Sequence, residues 1–148
     1  MHPSSEIVFE GVTPIFRVRS VAASLDYYVR VLGFKVDWQH PYFGSVSRGR
    51  CNIFLSEGDQ GHPGGWVWIG VGDAEALCKE YEQSGAKIRN PPNNFAWAYE
   101  MQVEDPDGNV LRFGSDPKDN EPVGQWLDMY GVRWAISPAG EWTRVEES

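Results

Sequence analysis

The stretch Glu104-Asp-Pro-Asp-Gly-Asn-Val-Leu-Arg-Phe-Gly114 reads as a tight turn feeding a strand. Pro106 pre-sets φ, Gly108 accepts a positive φ, and the aspartates can bond their own backbone, so the chain reverses and Val110–Phe113 leaves extended. A strand entered this way closes a longer pattern upstream of it.

Before the turn, Ala96–Val103 is expected to be a strand, Asn90-Pro-Pro-Asn-Asn94 a turn-rich insert, and Ala86–Arg89 another strand. Earlier still, Asp73 offers an N-cap, and Ala74, Leu77, Cys78 and Tyr81 form a helical stripe that Gly85 ends. Trp66–Val71 precedes it as a strand. The first part of the chain has the same order: Val12–Val18 extended, Ser20 as N-cap, and Val21, Leu25, Tyr28, Val29 and Leu32 on one helical face before Gly33. Phe34–Gln39, Phe43–Arg48 and Cys51–Ser56 then read as strands separated by His40-Pro41 and by Gly49. At a shift of 52 residues Leu25 meets Leu77, Gly33 meets Gly85, Val36 meets Ile88 and Phe16 meets Trp68. The expectation is an α+β chain forming a single domain. Two tandem βαβββ modules (residues 10–56 and 66–115) are joined by a Gly-rich linker (57–65), and their curved sheets form a half-barrel cleft.

Residues 116–148 lie outside the repeat. Pro122–Tyr130 is expected to be a short helix, and Val132–Ser137 with Glu141–Glu146 a hairpin about Pro138-Ala-Gly140. Trp126, Trp134 and Trp142 make this extension too apolar for a free tail, so it should pack on the body, a partner subunit or the cleft mouth.

A chain of 148 residues with 41% hydrophobic content has enough apolar side chains for a core. Its net charge of −8 argues against a nucleic acid or an anionic membrane as main partner, and suits a cationic ligand as well as an ordinary acidic surface. There is no signal-like start and no long apolar run, which reads as a cytoplasmic protein. Cys51 and Cys78, far apart in apolar segments, read as buried free thiols.

The module pattern, with Phe16-Arg-Val-Arg-Ser-Val-Ala-Ala-Ser-Leu-Asp-Tyr-Tyr28, Leu32-Gly-Phe34 and Asp105-Pro-Asp-Gly-Asn109, resembles the vicinal-oxygen-chelate superfamily of glyoxalases, extradiol dioxygenases and bleomycin-resistance proteins. Within it the similarity is closest to the bleomycin-resistance proteins. The resemblance covers about residues 10–115 and implies paired modules in a homodimer that shares or exchanges them. Enzymes of the superfamily hold a metal at the first and last strands of a module. The matching positions here are Thr13, Trp66 or Gly65, Phe54 or Leu55, and Arg112, which stands where a glutamate is usual. None offers a carboxylate or imidazole, so neither metal nor other cofactor is expected. His2, His40 and His62 fall in terminal or turn sequence and read as solvated.

Resistance proteins of this kind sequester a cationic drug with planar rings in an aromatic-lined cleft. The expected ligand-binding residues are Trp38, Phe43, Trp66, Trp97, Glu100 and Arg112, with Asp37, Glu57 and Asp59 as further carboxylates for a positive tail. Trp66 and Trp68 share one strand face, and Trp68, paired with Phe16 by the repeat, reads as core. Arg112 reads as an ion pair with Glu100, with anchoring of a ligand carboxylate as the alternative. Ala96-Trp97-Ala98 replaces the family's Pro-Trp-Gly and suggests a looser loop. Two other readings stand beside sequestration. One is a glyoxalase-, lyase- or dioxygenase-like enzyme with a displaced metal on His40 or His62. The other is an interaction module working through the tryptophan-rich extension.

Overall fold

The computed structural model describes residues 6–146; the reading of His2 lies outside them. The first module runs β1 (Ile15–Arg17), α1 (Val21–Arg30), β2 (Lys35–His40), β3 (Phe43–Arg48) and β4 (Cys51–Ser56). The second runs β5 (Trp66–Gly70), α2 (Ala74–Ser84), β6 (Lys87–Asn94), β7 (Tyr99–Glu104) and β8 (Val110–Ser115). Each forms a four-stranded sheet of the same topology, β1-β4-β3-β2 and β5-β8-β7-β6, in which the first strand pairs parallel with the last and the other pairs are antiparallel.

Both helices begin where the sequence places a cap. The Ser20 side chain accepts from Ala23 N–H, the Asp73 side chain accepts from Ala76 N–H, and the Glu57 carboxylate takes the N–H of Val21. Gly85 ends α2 with φ 83°, where a side chain would be strained. Val29, expected in the core, is 38% exposed. It sits at the edge of a stripe that Val21, Leu25 and Tyr28 already fill.

The 52-residue alignment holds from the helix-ending glycines to the strands that follow but is one residue short before and within the helices, so Leu25 corresponds to the buried Cys78 and not to Leu77. Ser20 and Asp73, Tyr28 and Tyr81, and Phe16 and Ile69 are each 53 residues apart and occupy matching places. The first module spends its extra residue where α1 ends: Phe34 N–H reaches back to Tyr28 C=O, whereas Ala86 N–H reaches Tyr81 C=O. Because a strand alternates faces, that single residue moves Trp68 off the core, and the Phe16–Trp68 pairing is corrected to Phe16–Ile69.

One core joins the modules. Phe16, Leu25, Val46, Ile53 and Leu55 from the first are continuous with Ile69, Met101, Val103, Leu111 and Phe113 from the second. Tyr28 and Tyr81 lie in it fully buried, and each sends its hydroxyl to the other module: Tyr28 Oη donates to Asp105 Oδ2 at 2.9 Å, and Tyr81 Oη to the carbonyl of Leu32 at 2.8 Å. The turn quoted at the outset is built around that aspartate. Asp105 Oδ1 accepts from Asp107 N–H and Asn109 N–H, and Oδ2 also accepts from Asn109 Nδ2. Asn109 in turn donates to the carbonyl of Arg17 and accepts from Gly65 N–H, tying the turn to β1 and to the start of β5.

Three local expectations are corrected. Asn90–Asn94 is not a separate insert; it continues β6 through two register shifts, one at Arg89 and one that takes up Pro91 and Pro92, which cannot donate to a regular ladder. Pro122–Tyr130 is not helical, because Gly124 N–H is drawn to the carbonyl of Asn94 and β9 (Trp126–Leu127) pairs with β10 (Arg133–Ile136). The hairpin is present as β10 and β11 (Trp142–Arg144), giving a third sheet of order β11-β10-β9. Cys78 is buried as expected, but Cys51 is only half-buried. Among the described residues no helix is long and apolar enough to cross a membrane.

Burial holds the Tyr28 hydroxyl well above its ordinary range and pushes Tyr81 up to about 12. Both groups keep their protons in the fold at pH values where an unfolded tyrosine ionises, so their stabilisation is complete below about pH 10 and is lost as pH rises above it, toward 12 for Tyr81. Tyrosinate absorbance from these two rings should therefore appear together with the loss of near-ultraviolet circular dichroism, not before it. Tyr28→Phe and Tyr81→Phe are each expected to cost about 1 kcal/mol in urea denaturation. Asp105→Ala, which orphans several buried donors, should cost about 3 kcal/mol.

Candidate ligand-binding face

In the second sheet, Ile69, Met101, Val103, Leu111 and Phe113 point to the shared core, so alternation turns Trp66, Trp68, Glu100, Gln102 and Arg112 to the face away from the helices. Glu100 is the centre of that face. It is only 1% exposed, and Arg112 grips it with Nε at 2.9 Å from Oε2 and Nη2 at 3.1 Å from Oε1. The same carboxylate accepts from Trp97 Nε1 at 2.6 Å and Trp68 Nε1 at 3.3 Å. Arg112 thus forms the expected ion pair. Glu100 has both oxygens occupied; what it does here is to fix one guanidinium and two indoles.

Trp68 is 48% exposed, which corrects its assignment to the core. Trp97 is 47% exposed and sits in a turn closed by Phe95 N–H on the carbonyl of Ala98 at 2.8 Å, so the Ala-Trp-Ala loop is tight, not loose. Its ring stacks on the buried Phe95, with centroids 4.8 Å apart and planes within 3°. Trp66 lies under the Arg89 guanidinium, 5.1 Å from the ring centre.

In the first sheet the corresponding face carries a separate aromatic group. Trp38 stacks on Phe43 at 5.6 Å, packs on Phe54 at 5.4 Å, and remains 39% exposed. His40 is in β2 opposite Phe43, not in the turn, and its ring lies 5.5 Å from Trp38. The nearby carboxylates have other partners: Asp37 accepts from Ser45, Ser47 and Asn52, and Glu57 caps α1. Each face lies on the side of its sheet away from the common core. Within one chain Trp38 and Phe43 are therefore not brought together with Trp66, Trp97, Glu100 and Arg112.

The C-terminal sheet lies over the second face, an arrangement that sequence reasoning left open. Buried Gln102 donates to the carbonyl of Leu127 at 2.9 Å, and Arg89 donates to the carbonyls of Leu127 and Asp128 and to Gln102. Asn94 holds the carbonyls of Lys118 and Glu121, and the Arg112 guanidinium lies 4.7 Å from the centre of the Trp126 ring. A cavity of about 490 Å³ remains, lined by Trp97, Arg112, Trp126, Asp128, Trp134 and Trp142. The available signal was the even spacing of the last three tryptophans, eight residues apart, which hairpin pairing brings onto one face.

The positions that would hold a metal, Thr13, Gly65 or Trp66, Phe54 or Leu55, and Arg112, supply no imidazole or carboxylate, and Arg112 places a cation there. His62 Nδ1 is 2.9 Å from the carbonyl of Pro63. Among the described residues no three His, Cys, Asp or Glu side chains converge. The residues present do not fit the metal chemistry of the superfamily's enzymes.

Solved structures share this architecture. A bleomycin-binding protein from the bleomycin producer Streptomyces verticillus, complexed with copper(II)-bleomycin, superposes with a TM-score of 0.64 at 26% identity, covering 74% of this chain and 98% of its own. An antibiotic-binding protein from a Streptomyces species gives 0.66 at 20% identity, over 76% of this chain and 100% of its own. The bleomycin resistance determinant encoded on transposon Tn5 gives 0.62 at 19%, over 73% and 98%. No curated protein sequence matches the chain. The family model described as Glyoxalase/Bleomycin resistance protein/Dioxygenase superfamily matches residues 11–113, both modules up to β8, and the chain belongs to that superfamily.

Proposed function

We propose that this protein is a metal-independent, cytoplasmic binding protein that sequesters a planar, cationic aromatic molecule, in the manner of an antibiotic-resistance protein. The observation that carries the reading is the Trp97–Glu100 arrangement. A buried carboxylate fixes the edge of an indole whose face stays open, beside further half-buried indoles. An indole with its N–H satisfied presents an apolar face with a negative quadrupole, which favours flat and positively charged rings. The charge of Arg112 is balanced by Glu100, and a net charge of −8 favours approach of a cation. The bleomycin complex of the Streptomyces verticillus relative supports the ligand class.

The reading includes a homodimer. The aromatic faces of the two modules look away from the shared core, so a cleft that uses both requires a second copy. Ile7, Val8, Phe9 and Val12 form an apolar arm with Phe9 94% exposed, which a partner would cover.

Tryptophan fluorescence should be quenched saturably by a bleomycin-type glycopeptide or by another planar cation in metal-free buffer. Trp97→Ala and Trp38→Ala are each expected to weaken binding by roughly tenfold. Absence of quenching across a panel of planar cations, neutral rings and anions would remove the reading. Sedimentation equilibrium should give twice the 16.7 kDa chain mass, and Phe9→Asp should shift it toward the monomer; a wild-type monomer would refute the shared cleft.

A further inference from the structure

The geometry points to a second component of the binding site, built by the part of the chain outside the family match: the open cavity lined by Trp97 and the indoles of the C-terminal sheet is a stacking site for one flat bicyclic or tricyclic aromatic ring system. This inference rests on the aromatic-binding reading above and adds the extension as a wall of the site.

Strand register puts the walls in place. Trp126 pairs directly with Trp134, and Ile136, two residues on, pairs with Trp142, so all three indoles project from one face of the small sheet. That face meets Trp97, whose ring centre is 6.0 Å from that of Trp126 with planes at 75° and 6.3 Å from that of Trp142 with planes at 48°, so these indoles touch at an angle and a flat ring stacks on their open faces and not between two of them. The sheet is anchored through the backbone of Leu127 and Asp128 by Gln102 and Arg89, so the site exists without a ligand and little ordering cost remains for binding.

The four indoles divide into anchors and walls. Trp126 lies against the Arg112 guanidinium and closes the inner end. Trp97 and Trp134 each have the indole N–H satisfied by a carboxylate, Glu100 at 2.6 Å and Asp128 at 2.9 Å. Their exposed surfaces are therefore ring faces that require no polar partner, and their orientations are fixed. An extension that served only to complete a core would bury its large side chains, as it does Leu127. Trp134 and Trp142 instead stay half-buried around a cavity of about 490 Å³, within the roughly 300–1,000 Å³ typical of small-molecule sites. Rigid, half-exposed tryptophans lining a preformed cavity bind flat rings by stacking.

The test uses the full chain labelled with 5-fluorotryptophan, its seven tryptophan signals assigned by single Trp→Phe variants, with N-methylacridinium as probe and tetrabutylammonium as a cation without a flat face. The Trp97, Trp134 and Trp142 fluorine resonances should move saturably with N-methylacridinium and stay in place with tetrabutylammonium. Trp134→Leu and Trp142→Leu should each lower affinity about fivefold to tenfold. Should a Leu variant fail to fold, the wild-type resonances still decide the matter. If N-methylacridinium moves the Trp38 signal and leaves Trp134 and Trp142 unmoved, the extension site is wrong while ring binding by the modules stands. If it moves no signal, both readings fall. Equal shifts with tetrabutylammonium would overturn the stacking site in favour of simple attraction of cations.

Discussion

Two buried tyrosine hydroxyls fix how the two modules of this structure dock on their common core. Tyr28 and Tyr81 occupy the same place in their modules, and each gives its proton to an acceptor in the other, Asp105 for one and the Leu32 carbonyl for the other. A hydroxyl so deeply placed is costly without a partner, so each is satisfied only when the modules are docked at the correct height and angle. Hydrophobic burial supplies most of the attraction between the sheets and helices but little direction. The tyrosines supply direction. Asp105 extends the constraint: it organises its own turn with one oxygen and receives the neighbouring module with the other, so β8 starts at a position defined by α1 as well as by its own sheet.

The same economy of carboxylates shapes the outer face. In the superfamily's enzymes the resemblance places a metal-ligating acid on the last strand. Here that position holds Arg112, and the acid that meets it is Glu100, on the neighbouring strand. A guanidinium with a fixed fork geometry takes the place of an ion, and the remaining acceptor capacity of Glu100 goes to two indole N–H groups. The exchange leaves a charge-balanced aromatic face where the superfamily's enzymes hold a metal. It orients tryptophans that would otherwise require water at their edges, and it balances the buried charge locally.

The extension works on the same residues from the other side. Its backbone carbonyls absorb Arg89 and Gln102, both of which belong to the second module's sheet, and its Trp126 covers Arg112. Polar groups that a bare sheet face would leave to solvent are thereby paired, and the aromatic side chains of the extension gather beside Trp97. The first module has its own aromatic group at Trp38, Phe43 and Phe54, where no comparable cover is present among the described residues. The two faces of this pseudo-symmetric chain are consequently different surfaces, one open and one partly roofed.

The sequence by itself determined the repeated βαβββ order, both N-caps, the Gly85 stop, the turn at Asp105–Gly108 and the bounds of β3 and β4. These follow from local causes: side-chain to backbone bonds, positive-φ glycine, and hydrophobic period. The superfamily resemblance placed Arg112 where a metal ligand would stand, and the order of strands matched it with Glu100 on the neighbouring one. The face of Trp68 was beyond local reading, since it depends on one extra residue at the end of α1 in the first module, and one residue reverses a strand's inward and outward sides. The extended path at Pro122–Tyr130 was decided by hydrogen bonds to Asn94 and by pairing with β10, partners distant in sequence whose pull exceeds helical propensity. Only the tertiary structure decided that Trp38 and Trp97 lie on separate faces, and that the last three tryptophans reach Trp97. Those relations come from how two sheets turn their backs on a common core, which no spacing within a single strand encodes.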